Sequence, residues 1–229
     1  MVIGFVGGFV KHDNRVHSTV QLTEHLRQRY ASGVYVEAFE NHSAEKAYRE
    51  ILRRLDGNHD GTLSGKEKQD ARIIIFGHSW GASETVTLAR KLEKEGIPVL
   101  LTIQVDSVAK RGENDAVIPA NVGQAVNFYQ PDGIVHGRRE IRAADPSMTE
   151  VIGNFGFDYK AHPIKCDGYP WFDRFVVKAH TEIECDPKVW NRVESLIDSK
   201  LSAQESQGKA PFRGGCAECG APGVIASEQ

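Results

Sequence analysis

The apolar residues of this chain fall into two recurring patterns. Short runs dominated by Val, Ile and Phe are typical of buried strands. These runs cover residues 2–10, 34–39, 71–76, 99–105 and 125–130. Between them lie longer, more polar stretches in which apolar residues recur every third or fourth position, as in an amphipathic helix. These stretches cover residues 18–30, 43–55, 81–95 and 188–201.

Strands that alternate with helices over short connections predict a parallel sheet with helices on both faces. We therefore expect an α/β protein, a three-layer α/β/α sandwich with a mostly parallel sheet. From about residue 204 the chain is polar, small and rich in Gly and Pro, which predicts poor burial and little order. The expected organisation is one domain over residues 1–203 and a flexible tail over residues 204–229.

Composition and charge narrow the function classes. The chain has 229 residues and a net charge of −3, with 28 Lys and Arg interspersed among 31 Asp and Glu. No basic stripe indicates nucleic acid or an anionic membrane surface as a partner. The apolar first run is too short to cross a bilayer and lacks the basic start of a signal peptide, so a cytoplasmic protein is expected. Oligomeric state cannot be derived from these features.

Residues 77–81 read GHSWG and match the G-x-S-x-G pattern. The match follows the most hydrophobic predicted strand and opens a predicted helix. In that context the two glycines permit a sharp turn, which holds the serine in a strained conformation with its hydroxyl exposed above the sheet. The pattern predicts Ser79 as a nucleophile.

A serine nucleophile needs a histidine base and a carboxylate that orients the histidine. Asp106 directly follows the strand at 99–105, and Asp132 follows the next strand in a Pro-Asp-Gly turn. Both positions suit the acid, and we favour Asp106 because a turn aspartate needs no catalytic explanation. For the base, we favour His180, in an expected loop before the last helix, over His162.

Two backbone N–H groups are needed to stabilise the oxyanion of an acyl-transfer reaction. Trp80, the residue after the expected nucleophile, is one candidate donor. The other is Phe9, in the glycine-rich stretch GGFVKHD that follows the first strand. Gly7 and Gly8 would allow that backbone to approach the serine closely.

This set of motifs resembles the α/β-hydrolase superfamily of lipases, esterases and thioesterases, over residues 1 to about 203. The resemblance implies a compact α/β-hydrolase fold without the usual N-terminal antiparallel strands. It implies a serine hydrolase that cleaves an ester or thioester of a small-molecule acyl substrate. Ser79 would be the nucleophile, His180 the general base and acid, and Asp106 the orienting carboxylate. The aromatic-rich stretch 153–175 is either a lid or a packed loop at the sheet edge.

A second motif, DGNHDGTLSGKE, occupies residues 56–67 and resembles the calcium-binding loop of the EF-hand superfamily. The resemblance implies Ca²⁺ bound through side-chain and carbonyl oxygens at fixed loop positions. The candidate ligands are Asp56, Asn58, Asp60, Thr62, Ser64 and Glu67. The loop enters the nucleophile strand at the end opposite Ser79, so a structural role is expected. The alternative is a polar turn that binds no ion.

The remaining features leave a second functional hypothesis open. The CAEC sequence at Cys216 and Cys219 has metal-site or redox spacing, but it lacks partner ligands, and we interpret it as a pair of reactive thiols on the tail. No other cofactor is expected. If the triad is not competent, the alternative function is a calcium-binding or interaction module built on a hydrolase fold.

Overall fold

The computed structural model of the protein describes residues 1–208, and side-chain burial through residue 202. Eight strands are present in this part of the chain. They are β1 (Val2–Phe5), β2 (Val36–Phe39), β3 (Ile74–His78), β4 (Val99–Val105), β5 (Val117–Ile118), β6 (Val122–Tyr129), β7 (Arg142–Ala143) and β8 (Glu150–Gly156). Seven helices accompany them. They are α1 (Ser18–Arg29), α2 (Ala44–Leu55), α3 (Gly65–Gln69), α4 (Trp80–Lys94), α5 (Trp171–Phe175), α6 (Lys178–Cys185) and α7 (Pro187–Gly208).

Six strands form one sheet in the order β2-β1-β3-β4-β6-β8, and every neighbouring pair is parallel. β5 and β7 form a separate two-stranded ribbon. β1 and β3 are buried at every position, as expected for parallel strands covered on both faces. The predicted α/β fold class, a three-layer sandwich on a mostly parallel sheet, is confirmed.

The core lies on both faces of the sheet, because alternate side chains of each strand point in opposite directions. Ile3 and Ile75 belong to the cluster that packs against α2 and α4. Val2 and Phe76 belong to the cluster that packs against α1, α6 and α7. In the parallel register, Phe5 of β1 pairs with Gly77 of β3, and His78 of β3 pairs with Val105 of β4. The carboxyl ends of β1, β3 and β4 therefore lie side by side at the same end of the sheet.

β8 was not predicted, because it lies at the sheet edge and only partly buries its side chains, which removes the apolar run. Residues 153–156 of the lid candidate belong to this strand, so that part of the interpretation is wrong. The last helix continues to Gly208, beyond its predicted end at residue 201 and into the first residues of the predicted tail. The rest of that tail, including Cys216 and Cys219, lies outside the described residues.

A disulfide joins Cys166, in the loop before α5, to Cys185 at the end of α6. The sequence did not predict this bond, because the spacing of the four cysteines does not show which of them lie close together in the fold. Disulfides persist mainly in oxidising compartments, which is at odds with the cytoplasmic location that stays a prediction. Within residues 1–208, no helix combines the length and apolar character needed to span a membrane.

Candidate active site

Ser79 occupies a strained turn between β3 and α4. Its φ is 58° and its ψ is −125°, a conformation that costs a non-glycine residue about 1–3 kcal/mol. The flanking glycines make the turn possible. A Cβ added to Gly77 would lie 2.5 Å from the carbonyl oxygen of Gly81, and a Cβ added to Gly81 would collide with the carbonyl oxygen of Phe5.

Backbone hydrogen bonds hold this turn against the neighbouring strand. The Ser79 N–H donates to the Val105 carbonyl at 3.0 Å, and the Ser79 carbonyl accepts from the Val108 N–H at 3.2 Å. Ser79 precedes the first residue of α4, where the helix dipole favours developing negative charge. The strand, the turn and the helix therefore place the serine hydroxyl at the carboxyl edge of the sheet, where α/β sites form.

His180 is hydrogen-bonded to Asp106, with Nδ1 of the imidazole 2.6 Å from Oδ2 of the carboxylate. A carboxylate only accepts, so the proton is on Nδ1 and Nε2 is free to accept another. His180 lies in α6, so its predicted placement in a loop was wrong. The histidine still precedes the last helix in the chain.

Asp106 is fully buried, and its carboxylate is surrounded by donors. Oδ1 accepts from the backbone N–H groups of Gln130 at 3.1 Å and Gly137 at 2.8 Å. Oδ2 accepts from Gln130 Nε2 at 2.9 Å in addition to His180. A side chain at Gly137 would overlap Asp106, so this position requires glycine. These bonds fix the carboxylate and thereby the plane of the histidine ring.

The alternative acid and base lie elsewhere. Asp132 forms an ion pair with Lys160, with 2.5 Å between Oδ1 and Nζ, and its N–H donates to the Gln130 side chain. His162 is exposed in a turn, where its N–H donates to the Asp158 carbonyl. The structure therefore pairs His180 with Asp106 and brings neither Asp132 nor His162 into the cavity beside Ser79.

The two expected oxyanion donors also border that cavity. Trp80 begins α4, and the first N–H groups of a helix have no partner within the helix. Phe9 has a φ of 60°, and its ring lies 5.3 Å from the Trp80 ring, measured between centroids. A Cβ added to Gly8 would lie 2.7 Å from the Trp80 ring, so glycine allows this loop to approach the serine turn.

A cavity of about 340 Å³ opens beside Ser79 and His180. Part of its wall is apolar and includes Val108, Val135 and Phe172. Large apolar side chains are exposed around this region, including Phe9 and Phe172. The volume is at the small end of the range found for ligand pockets, which fits a short acyl group.

The rest of the cavity wall is a polar cluster that the sequence analysis missed. Glu184 is buried and accepts a hydrogen bond from His17 Nδ1 at 2.7 Å, while its second oxygen lies 3.5 Å from His78 Nδ1. His78 in turn packs against His180, with 4.5 Å between ring centroids and an angle of 32° between the ring planes. The sequence offered one signal for this cluster: His180 and Glu184 are four residues apart, so in a helix they lie on the same face.

Burial sets the protonation of this cluster. It lowers the pKa of His78 to about 4, so this imidazole is neutral near pH 7. Burial acts to raise the pKa of Glu184, but its interactions with His78 and His17, including the hydrogen bond from His17, outweigh this effect. The net pKa of Glu184 is therefore lowered, and the residue is a buried carboxylate close to His180.

The predicted calcium loop makes a sharp turn at Gly61, the position where the EF-hand motif has glycine. His59 and Gly61 have φ values of 59° and 82°, which produce a tight turn. The two oxygens of Asp56 accept from the N–H groups of Asp60 at 3.2 Å and Gly61 at 3.0 Å. Leu63 packs against the core cluster beneath α2 and α4. The loop follows α2 and leads into the short helix α3.

The carboxylates of the loop are directed at its own donors. Glu67 accepts from the Gly57 N–H at 2.9 Å and forms a capping box with Ser64. Asp60 accepts from Asn58 and Thr62. Across the described part of the chain, no three His, Cys, Asp or Glu side chains form a group that could hold a metal. The backbone and the oxygen types thus fit Ca²⁺, while the side chains do not converge on one centre.

Comparisons with known proteins add little beyond the fold. No family model matches the chain, and no curated protein does. Several solved structures match the chain, and three of them share 12% to 14% sequence identity with it. The first is a protein from Xanthomonas campestris pv. campestris described as a hydrolase of the alpha/beta superfamily, with 12% identity over 86% of this chain and 98% of the other and a TM-score of 0.37. The second is RedJ, solved with a PEG molecule in its active site, with 12% identity over 79% of this chain and 88% of RedJ and a TM-score of 0.39. The third is a YdeN-like hydrolase from Pectobacterium atrosepticum, with 14% identity over 80% of this chain and 90% of the other and a TM-score of 0.35. Similarities this distant carry no argument about family or activity.

Proposed function

We propose that the protein is a serine hydrolase that cleaves a carboxylic ester or thioester through Ser79, His180 and Asp106. The observation that carries this proposal is the hydrogen bond between His180 and the buried carboxylate of Asp106, beside a serine in a strained turn. A serine in a Gly-flanked turn, a histidine in the required tautomer and an orienting carboxylate together suit acyl transfer.

In the proposed reaction, Ser79 Oγ attacks the carbonyl carbon while His180 Nε2 takes the hydroxyl proton. The tetrahedral intermediate then collapses, the bond to the leaving oxygen or sulfur breaks, and the imidazolium returns its proton to the leaving group. A water molecule, deprotonated by His180, attacks the acyl-enzyme and releases the acid and free Ser79. Asp106 stays ionised and stabilises the imidazolium in both steps.

The backbone N–H groups of Trp80 and Phe9 would stabilise the oxyanion formed in each step. Both residues line the cavity beside Ser79, and the first helical N–H group has no competing acceptor within α4. Donors of this kind each contribute about 10²–10³-fold to the rate of acyl transfer in other enzymes. The adjoining cavity would hold the acyl group of a small-molecule substrate.

We also propose that the loop at residues 56–67 binds Ca²⁺ as a structural ion. Asp56, Asn58, Asp60, Thr62, Ser64 and Glu67 would hold it through oxygen atoms. When bound, the ion would offset the repulsion between the three carboxylates and rigidify the connection between α2 and β3. The loop leads into β3 at the strand end opposite Ser79, so the proposed ion takes no part in the chemistry.

The test of the hydrolase proposal is labelling with a fluorophosphonate, followed by intact-mass measurement. We expect one adduct on the wild-type protein and none on Ser79→Ala. Ser83→Ala is the matched control, because Ser83 lies one turn further along α4 and donates to Glu113. Its labelling should equal that of the wild type. Folded wild-type protein that resists labelling would refute the mechanism and favour a binding module without a competent triad.

A further inference from the structure

An unpaired carboxylate faces the cavity beside the proposed nucleophile. Asp173, in α5, is partly buried and lines the cavity together with Ser79 and His180. Within the described residues, its side chain takes part in no hydrogen bond or ion pair. Burial raises the pKa of its carboxyl group, although the nearby His17 and His180 imidazoles act in the opposite direction. A carboxylate that faces a cavity without a counter-ion is poised to accept a cation.

A second observation points to the same polar wall. His78 is 3% exposed and lines the cavity, and neither of its ring nitrogens has a hydrogen-bond partner. Buried polar groups are nearly always hydrogen-bonded, so this imidazole lacks a partner that a ligand can supply. Its neighbour Glu184 keeps accepting capacity on Oε2, which receives no hydrogen bond comparable to the one from His17.

The described lining of the cavity also lacks a permanent positive charge. Among the described residues that line it, none is lysine or arginine, while Asp173 and Glu184 are both acidic. His78 is held neutral by burial. Other parts of the lining are apolar and include Val108, Val135 and Val177. A substrate that fits this lining has an aliphatic chain and a group that is positively charged and donates hydrogen bonds.

We propose that the cavity selects acyl groups that carry a primary ammonium, held by the Asp173 and Glu184 carboxylates and by His78. This inference rests on the proposed serine hydrolase function. The acyl part is the appropriate occupant because it stays attached to Ser79 through both steps, whereas the leaving group must diffuse away. An anionic acyl group is disfavoured by repulsion from the two carboxylates, which gives specificity through exclusion as well as attraction.

The test uses 4-methylumbelliferyl esters in two matched sets. The first set has two methylenes between the carbonyl and an ammonium, a methyl or a carboxylate, namely 3-aminopropionate, butyrate and succinate. The second set has five, namely 6-aminohexanoate, heptanoate and pimelate. We expect kcat/KM for the ammonium ester to exceed that for the carboxylate ester by about 2- to 30-fold in one set, because the attraction of one and the repulsion of the other each contribute about 1.5- to fivefold at a partly exposed site. The methyl ester should lie between them.

Two variants assign the effect to the polar wall. Asp173→Asn should lower the ratio of ammonium to methyl ester turnover by about two- to fivefold, the loss expected when one charge of the pair is removed. Asp167→Asn, an exposed position that does not line the cavity, should leave that ratio unchanged. Turnover of butyrate or heptanoate with no charge preference in either set would overturn this inference alone. Failure of every ester together with absent fluorophosphonate labelling would overturn the proposed hydrolase function as well.

Discussion

Replacing Asp106 by Asn separates the two candidate acids and tests the role of the histidine tautomer. The amide oxygen of Asn can still accept from the N–H groups of Gln130 and Gly137. The amide NH₂ then faces His180 Nδ1, which must give up its proton to accept this donor. The proton moves to Nε2, the atom that is needed to accept the serine proton. The variant therefore stabilises the wrong tautomer.

The magnitudes follow from the same contacts. Loss of the correct tautomer lowers kcat by about 10⁴-fold where it has been measured in a serine triad. Gln130 Nε2 donates to Asp106 Oδ2 in the wild type and would face the NH₂ group of Asn in the variant, so this hydrogen bond is lost. Its second hydrogen bond, to the Val135 carbonyl, remains. One unsatisfied buried donor costs about 1–3 kcal/mol, which corresponds to a Tm decrease of roughly 2–12 °C for a domain of this size. Activity should therefore fall far more than stability.

The assay compares kcat for a fluorogenic ester and the Tm of the folded protein in the wild type, Asp106→Asn and Asp132→Asn. The Asp132 variant is the matched control, because it removes the other strand-end carboxylate, which pairs with Lys160. We expect its kcat to stay within about threefold of the wild type, since Asp132 does not line the cavity beside Ser79 and its partner Lys160 is exposed. Asp106 is not the orienting carboxylate if Asp106→Asn keeps a tenth or more of wild-type kcat, or if Asp132→Asn is the more damaged variant.

Three further predictions concern stability. Burial lowers the pKa of His78 to about 4, so between pH 6.5 and 4 the unfolded chain binds more protons than the folded one. The free energy of unfolding should therefore decrease by roughly 3 kcal/mol as the pH is lowered from 6.5 to 4. Measured by denaturant unfolding, this decrease should be smaller in His78→Asn, and an equal decrease in both proteins would contradict the lowered pKa of His78. Reducing the Cys166–Cys185 bond should destabilise the protein by about 3 kcal/mol, because the bond closes a loop of 19 residues in the unfolded chain. An unchanged denaturation midpoint, after release of both thiols has been verified, would contradict this prediction. Calcium should raise the Tm of the wild type but not of Glu67→Gln, and a chelator should reverse the increase; identical Tm values with and without calcium would remove the proposed ion site.

Local sequence patterns predicted much of the fold, because each records a local backbone requirement. β-branched runs predicted the inner strands, and helical spacing predicted α1, α2, α4 and most of α7, but not α6. GHSWG indicated the sharp turn, and Ser79 has the positive φ that such a turn needs. The edge strand β8 escaped notice because it is buried only in part and therefore carries no continuous apolar run.

The tertiary structure alone decided which distant residues meet. Whether His180 contacts Asp106 or Asp132 depends on how two strand ends and α6 pack, and no local pattern encodes that choice. The same holds for His17 and Glu184, which are 167 residues apart in the chain and share a buried hydrogen bond. Side-chain pairs of this kind form only when whole helices and strands pack together. The sequence by itself therefore determined most of the strands and helices and the sharp turn at Ser79, whereas the tertiary structure determined which side chains surround that serine.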